Sequence, residues 1–317
     1  MKSVPGFLKK AFLWTLLCAA CAGGGVATVV WYLNLDKTGV FLDVAGELGR
    51  VETVSTRETD TSIIHELKLY NTRGEYLVDC LYRRPRRLSD PYKVLVLYAG
   101  VKTKAVILDL IPDRSDLVVC AVQYPYRRPR KFLEYVRFPW TVRSDAYAVV
   151  GGGILATSFL VDRERLSASQ MFVVGASLGS FFGTIHTALD PRISKMLVVH
   201  GGGNFPVLVK GYRRFREKGH PVEVYAVLSE WLFGTFDPVR YVDRIAPREL
   251  VILATTHDKY FPPESAQSLY DRAKEPKQIR WMSTTHVKSE KSDIVDSIVR
   301  SIIAFLFSDP ALETGRR

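Results

Sequence analysis

Cysteine, methionine, tryptophan and histidine are all scarce in this chain of 317 residues: four, four, five and six. Four cysteines do not make a disulfide scaffold. The one C-x-x-C spacing, Cys18 to Cys21, lies inside an uncharged run that suits a helix and not a metal site. No phosphate loop occurs, because the Gly151-Gly152-Gly153 run sits in an apolar helical stretch without a Lys-Ser/Thr sequel. Internal repeats, low-complexity segments and nucleic-acid recognition motifs are missing as well. These absences argue against repeat arrays, zinc modules, P-loop enzymes and nucleic-acid binders, and they leave no metal or other cofactor to expect.

The composition that remains is 47% hydrophobic and 24% charged, enough to bury a sizeable core in one large domain. The net charge is +11. Lys2, Lys9 and Lys10 carry three of those charges ahead of the first acidic residue, Asp36, and leave eight for the rest of the chain. Such a balance suits an anionic membrane surface or acidic partners.

Residues 11–33 contain no charge and would span roughly 34 Å as a helix, against a hydrocarbon core of roughly 30 Å. Trp31 and Tyr32 stand at one end, as interfacial aromatics do, and Lys9 and Lys10 precede the other. The expected organisation is a cytoplasmic tail (1–10), a transmembrane signal anchor (11–33), a linker (34–50), a domain outside the cytoplasm (51–308) and a tail (309–317). Two alternatives stay open. Ala20-Cys21-Ala22 resembles a signal-peptidase site, and Cys21 after Ala19-Ala20 resembles a lipobox. All three readings export the domain, to the periplasm or another extracytoplasmic space.

The domain opens on strands at Val51–Ser55, Ser62–Tyr70 and Tyr76–Tyr82, which predict an antiparallel start. Nearly continuous apolar strands follow at Tyr92–Tyr98, Asp116–Val122, Met171–Val174, Lys195–Val199 and Glu249–Ala254, as in a parallel sheet buried on both faces. A last strand is expected at Gln278–Met282. Helices are expected at Lys104–Leu110, Thr141–Asp162, from Leu178 to Leu189, Glu264–Ala273 and Ile294–Phe307. Residues 205–245 break this rhythm with basic, aromatic-rich helical material. Two basic runs containing proline, Arg83–Arg87 and Arg127–Lys131, read as loops that are solvated or touch anionic headgroups.

Chemistry concentrates at Gly175-Ala176-Ser177-Leu178-Gly179. An apolar strand breaks on a glycine, and one serine is left at a tight strand-to-helix bend, where the helix dipole faces its hydroxyl. Two more polar residues follow predicted strand ends. Asp258 lies in Thr255-Thr256-His257-Asp258, ahead of Pro262-Pro263 and a helix; His286 ends Ser283-Thr284-Thr285-His286, ahead of the last helix. A serine hydroxyl becomes nucleophilic when an imidazole takes its proton, and a carboxylate fixes that imidazole's tautomer. His65, His186 and His220 read as ordinary strand, helix and insert residues, and His257 as a neighbour that points elsewhere.

From about residue 51 to 308 the chain resembles the α/β-hydrolase family of serine esterases and lipases, on the serine elbow and the order nucleophile, acid, histidine. The resemblance implies a mostly parallel, eight-stranded sheet flanked by helices, with 205–245 as a small helical lid. It implies Ser177, Asp258 and His286 as catalytic residues, and the backbone N–H groups of Leu178 and Val101 as the oxyanion hole. Ala99-Gly100 stands where many members have His-Gly. His200-Gly201-Gly202-Gly203 spells an oxyanion motif of some lipases but follows the nucleophile, so His200 reads as structural. In the fold's usual strand order Cys80 and Cys120 become neighbours, as two thiols or as a strained bridge. The implied activity is hydrolysis of a small-molecule or lipid-like acyl ester, with Trp231 and Phe233 as candidate acyl-pocket residues. Thioesterase, peptidase and acyltransferase chemistry use the same residues, and a noncatalytic binding protein can keep the fold.

Overall fold

The computed structural model describes residues 24, 25, 28, 29, 31, 32, 35–100, 107–125, 132–286 and 292–307. Strands β1 (Leu48–Glu58), β2 (Ser62–Asn71), β3 (Tyr76–Pro85), β4 (Lys93–Tyr98), β5 (Leu117–Val122), β6 (Met171–Ala176), β7 (Lys195–Val199), β8 (Glu249–Thr255) and β9 (Lys277–Met282) form one sheet. Their order is β1-β2-β3-β5-β4-β6-β7-β8-β9. The pairs β1/β2, β2/β3 and β3/β5 are antiparallel, and the remaining neighbours are parallel.

The sheet therefore has the nine strands read from the sequence, one more than the eight the family resemblance implies. The antiparallel opening is three strands deep because β1 pairs with nearly the whole of β2. Residues 34–50 are also more than a linker. Helix α1 (Thr38–Ala45) buries Phe41 completely, against the rings of Tyr147, Phe236 and Tyr241. The first basic run is not a loop, since β3 continues to Pro85. Arg83 is buried and donates to the carbonyls of Leu108, Ile111 and Pro112, while Arg84 pairs with Glu164 and Arg86 with Glu58. Those three cations are committed to the fold. The second basic run lies outside the described residues.

The other helices are α2 (Ile107–Leu110), α3 (Phe132–Ser158, widening into a π turn over Phe159–Arg163), α4 (Gly179–Leu189), α5 (Phe205–Gly211), α6 (Arg213–Glu217), α7 (Val222–Phe233), α8 (Pro263–Arg272) and α9 (Ser292–Phe307). Period-two alternation along the central strands assigns the faces. Val94, Val96, Val173 and Val198 point into the core that α3 and α8 complete. Leu95, Leu97, Val174 and Leu197 point to the opposite face, under α2 and α9.

One helix among the described residues, Trp140–Arg163, is long and apolar enough to cross a membrane, with a mean hydropathy of 1.4. It is 67% buried inside the fold, so it serves as the core helix of one sheet face. Its three glycines allow this. A Cβ on Gly152 would fall 2.6 Å from Val78 Cβ, and one on Gly153 would collide with the Tyr98 hydroxyl. The predicted membrane span, 11–33, lies mostly outside the described residues. Cys80 and Cys120 are buried free thiols on adjacent strands. The hydrogen bond to Cys120, together with burial, pushes the Cys80 thiol well up.

Register brings the strand ends level. Tyr98 lies beside Gly175, Ala176 beside Val199, and Thr255 beside Met282. The chain leaves β4 for β5 on one side and returns to β6 on the other. The loops after β4 and β6 thus border a topological switch point, where open α/β sheets place their ligands.

Candidate active site

Ser177 sits between β6 and α4 with φ = 54°, a left-handed conformation uncommon outside glycine. Its N–H donates to Val199 O at 2.9 Å, and its C=O accepts from the N–H and hydroxyl of Ser180. The flanking glycines are sterically required. A Cβ on Gly175 would lie 2.7 Å from Gly179 O, and one on Gly179 would strike the Tyr98 carbonyl and approach the Tyr124 hydroxyl to 2.7 Å. Helix α4 proper begins at Gly179, one residue later than expected, with Leu178 as its N-cap. The first N–H groups of a helix lack intrahelical acceptors, and the positive end of the α4 dipole lies beside Ser177.

Asp258 and His286 arrive from the loops after β8 and β9. Thr255 Oγ1 donates to Thr284 O and ties the two loops together. Asp258 Oδ1 accepts from the N–H groups of Tyr260 (2.8 Å) and Phe261 (3.0 Å), which fixes the carboxylate plane. Oδ2 lies 2.6 Å from His286 Nδ1, and His286 Nε2 lies 2.9 Å from Ser177 Oγ. An ionised carboxylate only accepts, so Nδ1 carries the proton and Nε2 accepts from the serine hydroxyl. The Asp258 side chain is fully buried and that of His286 is 9% exposed. Phe261 stacks parallel to the imidazole and Tyr260 meets it edge-on, with ring centres at 5.8 and 4.9 Å. A hydroxyl, an imidazole and a carboxylate linked in this order can move a proton off the hydroxyl and stabilise the resulting cation.

His200 follows β7 with φ = 48° and lies 6.1 Å, centre to centre, from His286. Burial first, then the neighbouring His286, lowers its pKa to about 4, against the pull of Asp258. It is therefore neutral beside the His286–Asp258 pair at neutral pH. The glycines after it are packing positions: a Cβ on Gly202 would fall 2.7 Å from the Ser265 carbonyl carbon, and one on Gly201 would strike the Ser180 side chain. Among the described residues His200, Asp258 and His286 form the one group of three whose metal-ligand atoms all lie within 4.8 Å of each other. A metal there would have to compete with the bonds that already join Asp258, His286 and Ser177. His257 is exposed and bonds Thr256.

The remaining expected residues fare differently. Val101 lies outside the described residues, although the two residues before it are placed: Ala99 O accepts from the Tyr124 hydroxyl at 2.6 Å. Residues 205–245 do form a helical insert. Asp237 clamps its start by accepting from the N–H groups of Asn204 (2.9 Å) and Phe205 (2.6 Å). Within it Trp231 is 40% exposed, whereas Phe233 packs on the cluster around Phe41 and Phe236. Tyr260, Phe261 and Tyr124 were missed from sequence. The first two directly follow the acid and had a signal in Lys259-Tyr260-Phe261-Pro262; nothing local marks Tyr124.

The family described as PhoPQ-activated pathogenicity-related protein matches residues 187–312. No curated protein is similar in sequence. Solved structures are similar across most of the chain. An acetyl xylan esterase from a Paenibacillus species superposes with a TM-score of 0.62 at 19% identity, over 86% of this chain and 95% of its own. Acetyl xylan esterase 1 from a Thermoanaerobacterium species gives 0.58 at 13%, over 89% and 98%. A puromycin-hydrolyzing peptidase from Mycobacterium tuberculosis gives 0.53 at 14%, over 79% of this chain and 46% of its own. By its sheet, its elbow and these likenesses, the chain has the α/β-hydrolase fold.

Proposed function

We propose that the protein is a serine hydrolase that cleaves carboxylic esters through an acyl-serine intermediate. The observation that carries this reading is His286, bonded at 2.9 Å to a serine with positive φ and at 2.6 Å to a buried carboxylate. Ser177 Oγ attacks the ester carbonyl as its proton passes to His286 Nε2. Asp258 holds the imidazole and stabilises the imidazolium. The carbonyl oxygen becomes an oxyanion facing the N–H groups of Leu178 and Val101. Collapse expels the alcohol, which takes the proton from His286. Water then repeats the cycle on the acyl-serine and releases the carboxylic acid. Both acetyl xylan esterases with this fold act on esters, which favours ester over thioester or peptide; the substrate here is a small or lipid-like acyl ester. The candidate for meeting an acyl group is Trp231, exposed on α7, while Phe233 packs against the aromatic cluster around Phe41 and Phe236.

The test is labelling with a fluorophosphonate, with the adduct mapped by mass spectrometry, beside a panel of esters of graded chain length. An adduct at Ser177 is expected. Ser177→Ala and His286→Ala should each lower turnover by around 10⁶ with unchanged melting. Near-wild-type hydrolysis by either variant, or no adduct, would overturn the assignment in favour of a noncatalytic binding protein.

We also propose that residues 11–33 anchor the chain in a single pass, with the hydrolase domain outside the cytoplasm. The supports are the length of the uncharged run, its terminal aromatics and the lysines before it.

A further inference from the structure

Helix α7 of the insert is amphipathic with its apolar stripe turned outward. Val224, Val227, Leu228 and Trp231 recur at helical spacing and are between 40% and 54% exposed. Ala226, on the opposite side of the helix, is buried, and α7 packs on the fold through α5 and the turn at Gly234–Phe236. Single apolar residues on a surface are ordinary, whereas four on one helix face mark a contact surface.

A basic segment flanks the stripe. Helix α6 and the residue after it expose Arg213, Arg214, Arg216 and Lys218 against one carboxylate, Glu217, which pairs with Arg213. Phe215 holds this segment on α7, its ring 5.5 Å from that of Tyr225. Lys210 of α5 pairs with Glu223 in the first turn of α7. An apolar helix face beside a surplus of cations is the composition of a helix that lies in the plane of an anionic membrane surface.

The predicted anchor joins the domain next to this helix. Arg143 of α3 donates to the carbonyl of Leu232, near the end of α7. One turn further along α3, Tyr147 packs on Phe41 of α1 with ring centres 4.8 Å apart. Helix α1 starts five residues after the uncharged run ends at Leu33, a reach of roughly 17 Å even if extended. Lys37, just before α1, sits 3.8 Å over the ring of Tyr32 at the end of that run. An anchor in the bilayer therefore keeps the end of α7 near the headgroups. A second copy of the chain fits the stripe less well. Four half-exposed side chains fall short of the roughly 800 Å² per partner of a stable interface, and a twofold contact would bring two cationic α6 segments together.

We propose that α7 lies in the headgroup layer of the membrane that holds the anchor, with Val224, Val227 and Leu228 at the acyl boundary and the α6 cations against anionic headgroups. The proposal rests on the anchor reading and not on the hydrolase reading, since Ser177 takes no part. The test uses the full chain in phosphatidylcholine nanodiscs with a minor fraction of phosphatidylglycerol and a trace of an ether-linked phospholipid carrying a photoreactive chain. Cross-linked peptides are then mapped by mass spectrometry. Adducts are expected on Val224–Leu228 as well as on 11–33, with a lower α7 yield when phosphatidylglycerol is omitted. Leu228→Glu should lower the α7 yield by about fivefold, with melting and the labelling of 11–33 unchanged. Leu228→Asn, which adds no charge, should act in the same direction. Adducts confined to 11–33 would overturn the proposal, and two chains per disc in that case would name a second copy as the occupant. So would α7 labelling that Leu228→Glu leaves unchanged, or adducts at Trp231 without Val224–Leu228, which would assign the contact to an acyl pocket. Adducts on Val224–Leu228 with none at 11–33 would keep the docking surface and overturn the anchor reading.

Discussion

His200 shows how a single buried side chain sets a pH limit on the fold. Its folded pKa is about 4, against 6.5 for the free side chain. Between those values the unfolded chain binds the proton that the folded chain refuses. The stability it contributes is therefore complete above pH 6.5, is lost as pH falls toward 4, and changes no further below that. The loss amounts to about 3 kcal/mol. Asp190 works in the same direction at lower pH. Bonds from His186 and Arg192 outweigh its burial and hold its pKa well below the usual carboxylate range, so its contribution is lost as pH drops below about 4. Urea titrations at a series of pH values check the first effect: wild type should lose about 3 kcal/mol more than His200→Gln between pH 7 and 4. Parallel curves for the two proteins would show that His200 does not carry the slope. At this scale Ser177, Asp258 and His286 were legible in sequence because each directly follows a strand. His200 as their neighbour was not, since no spacing rule places the end of β7 beside that of β8.

Helix α3 is the element where local propensity and packing disagree most openly. In an isolated helix alanine is favoured over glycine by about 1 kcal/mol. At Gly152, however, a Cβ meets the rigid branched side chain of Val78, and overpacking of this kind costs about 1–3 kcal/mol. Packing wins. Gly152→Ala should lower stability by about 1–2 kcal/mol in thermal or urea melts, despite its better helix propensity. A stabilised variant would mean that α3 can lift from β3 without loss. The strands were easier to read than this helix, since burial on both faces writes itself as continuous apolar sequence in β4, β5, β6 and β8. Helix α1 stayed hidden. Eight residues give little periodicity, and its hold on the domain is the Phe41 ring, sunk among aromatics more than a hundred residues away.

For the whole molecule, charge and topology act together. The net charge of +11 suggested a basic surface, yet within the Arg83–Arg87 run Arg83 is buried and Arg84 and Arg86 are paired with Glu164 and Glu58. Cations from distant segments, Arg192, Lys195, Arg248, Arg280 and Arg300, instead line one groove between α9 and β7–β9. If residues 11–33 cross the bilayer, the full chain should pellet with membranes, resist high salt and carbonate, and be released by detergent. Protease added from outside the cytoplasmic face should then digest the domain. Release by salt alone would show purely electrostatic attachment, since surface attraction is screened within roughly 10 Å at 0.1 M.

The sequence by itself determined the alternation of strands and helices, the serine elbow and the chain order of the three polar residues. These are written in local patterns of hydrophobicity and turn chemistry. Only the tertiary structure decided the ninth strand's place, the packing of Phe261 and Tyr260 on His286, the neighbourhood of His200 and the basic groove. Each of these joins residues far apart in the chain, and their meeting depends on strand order and register, which no local pattern encodes.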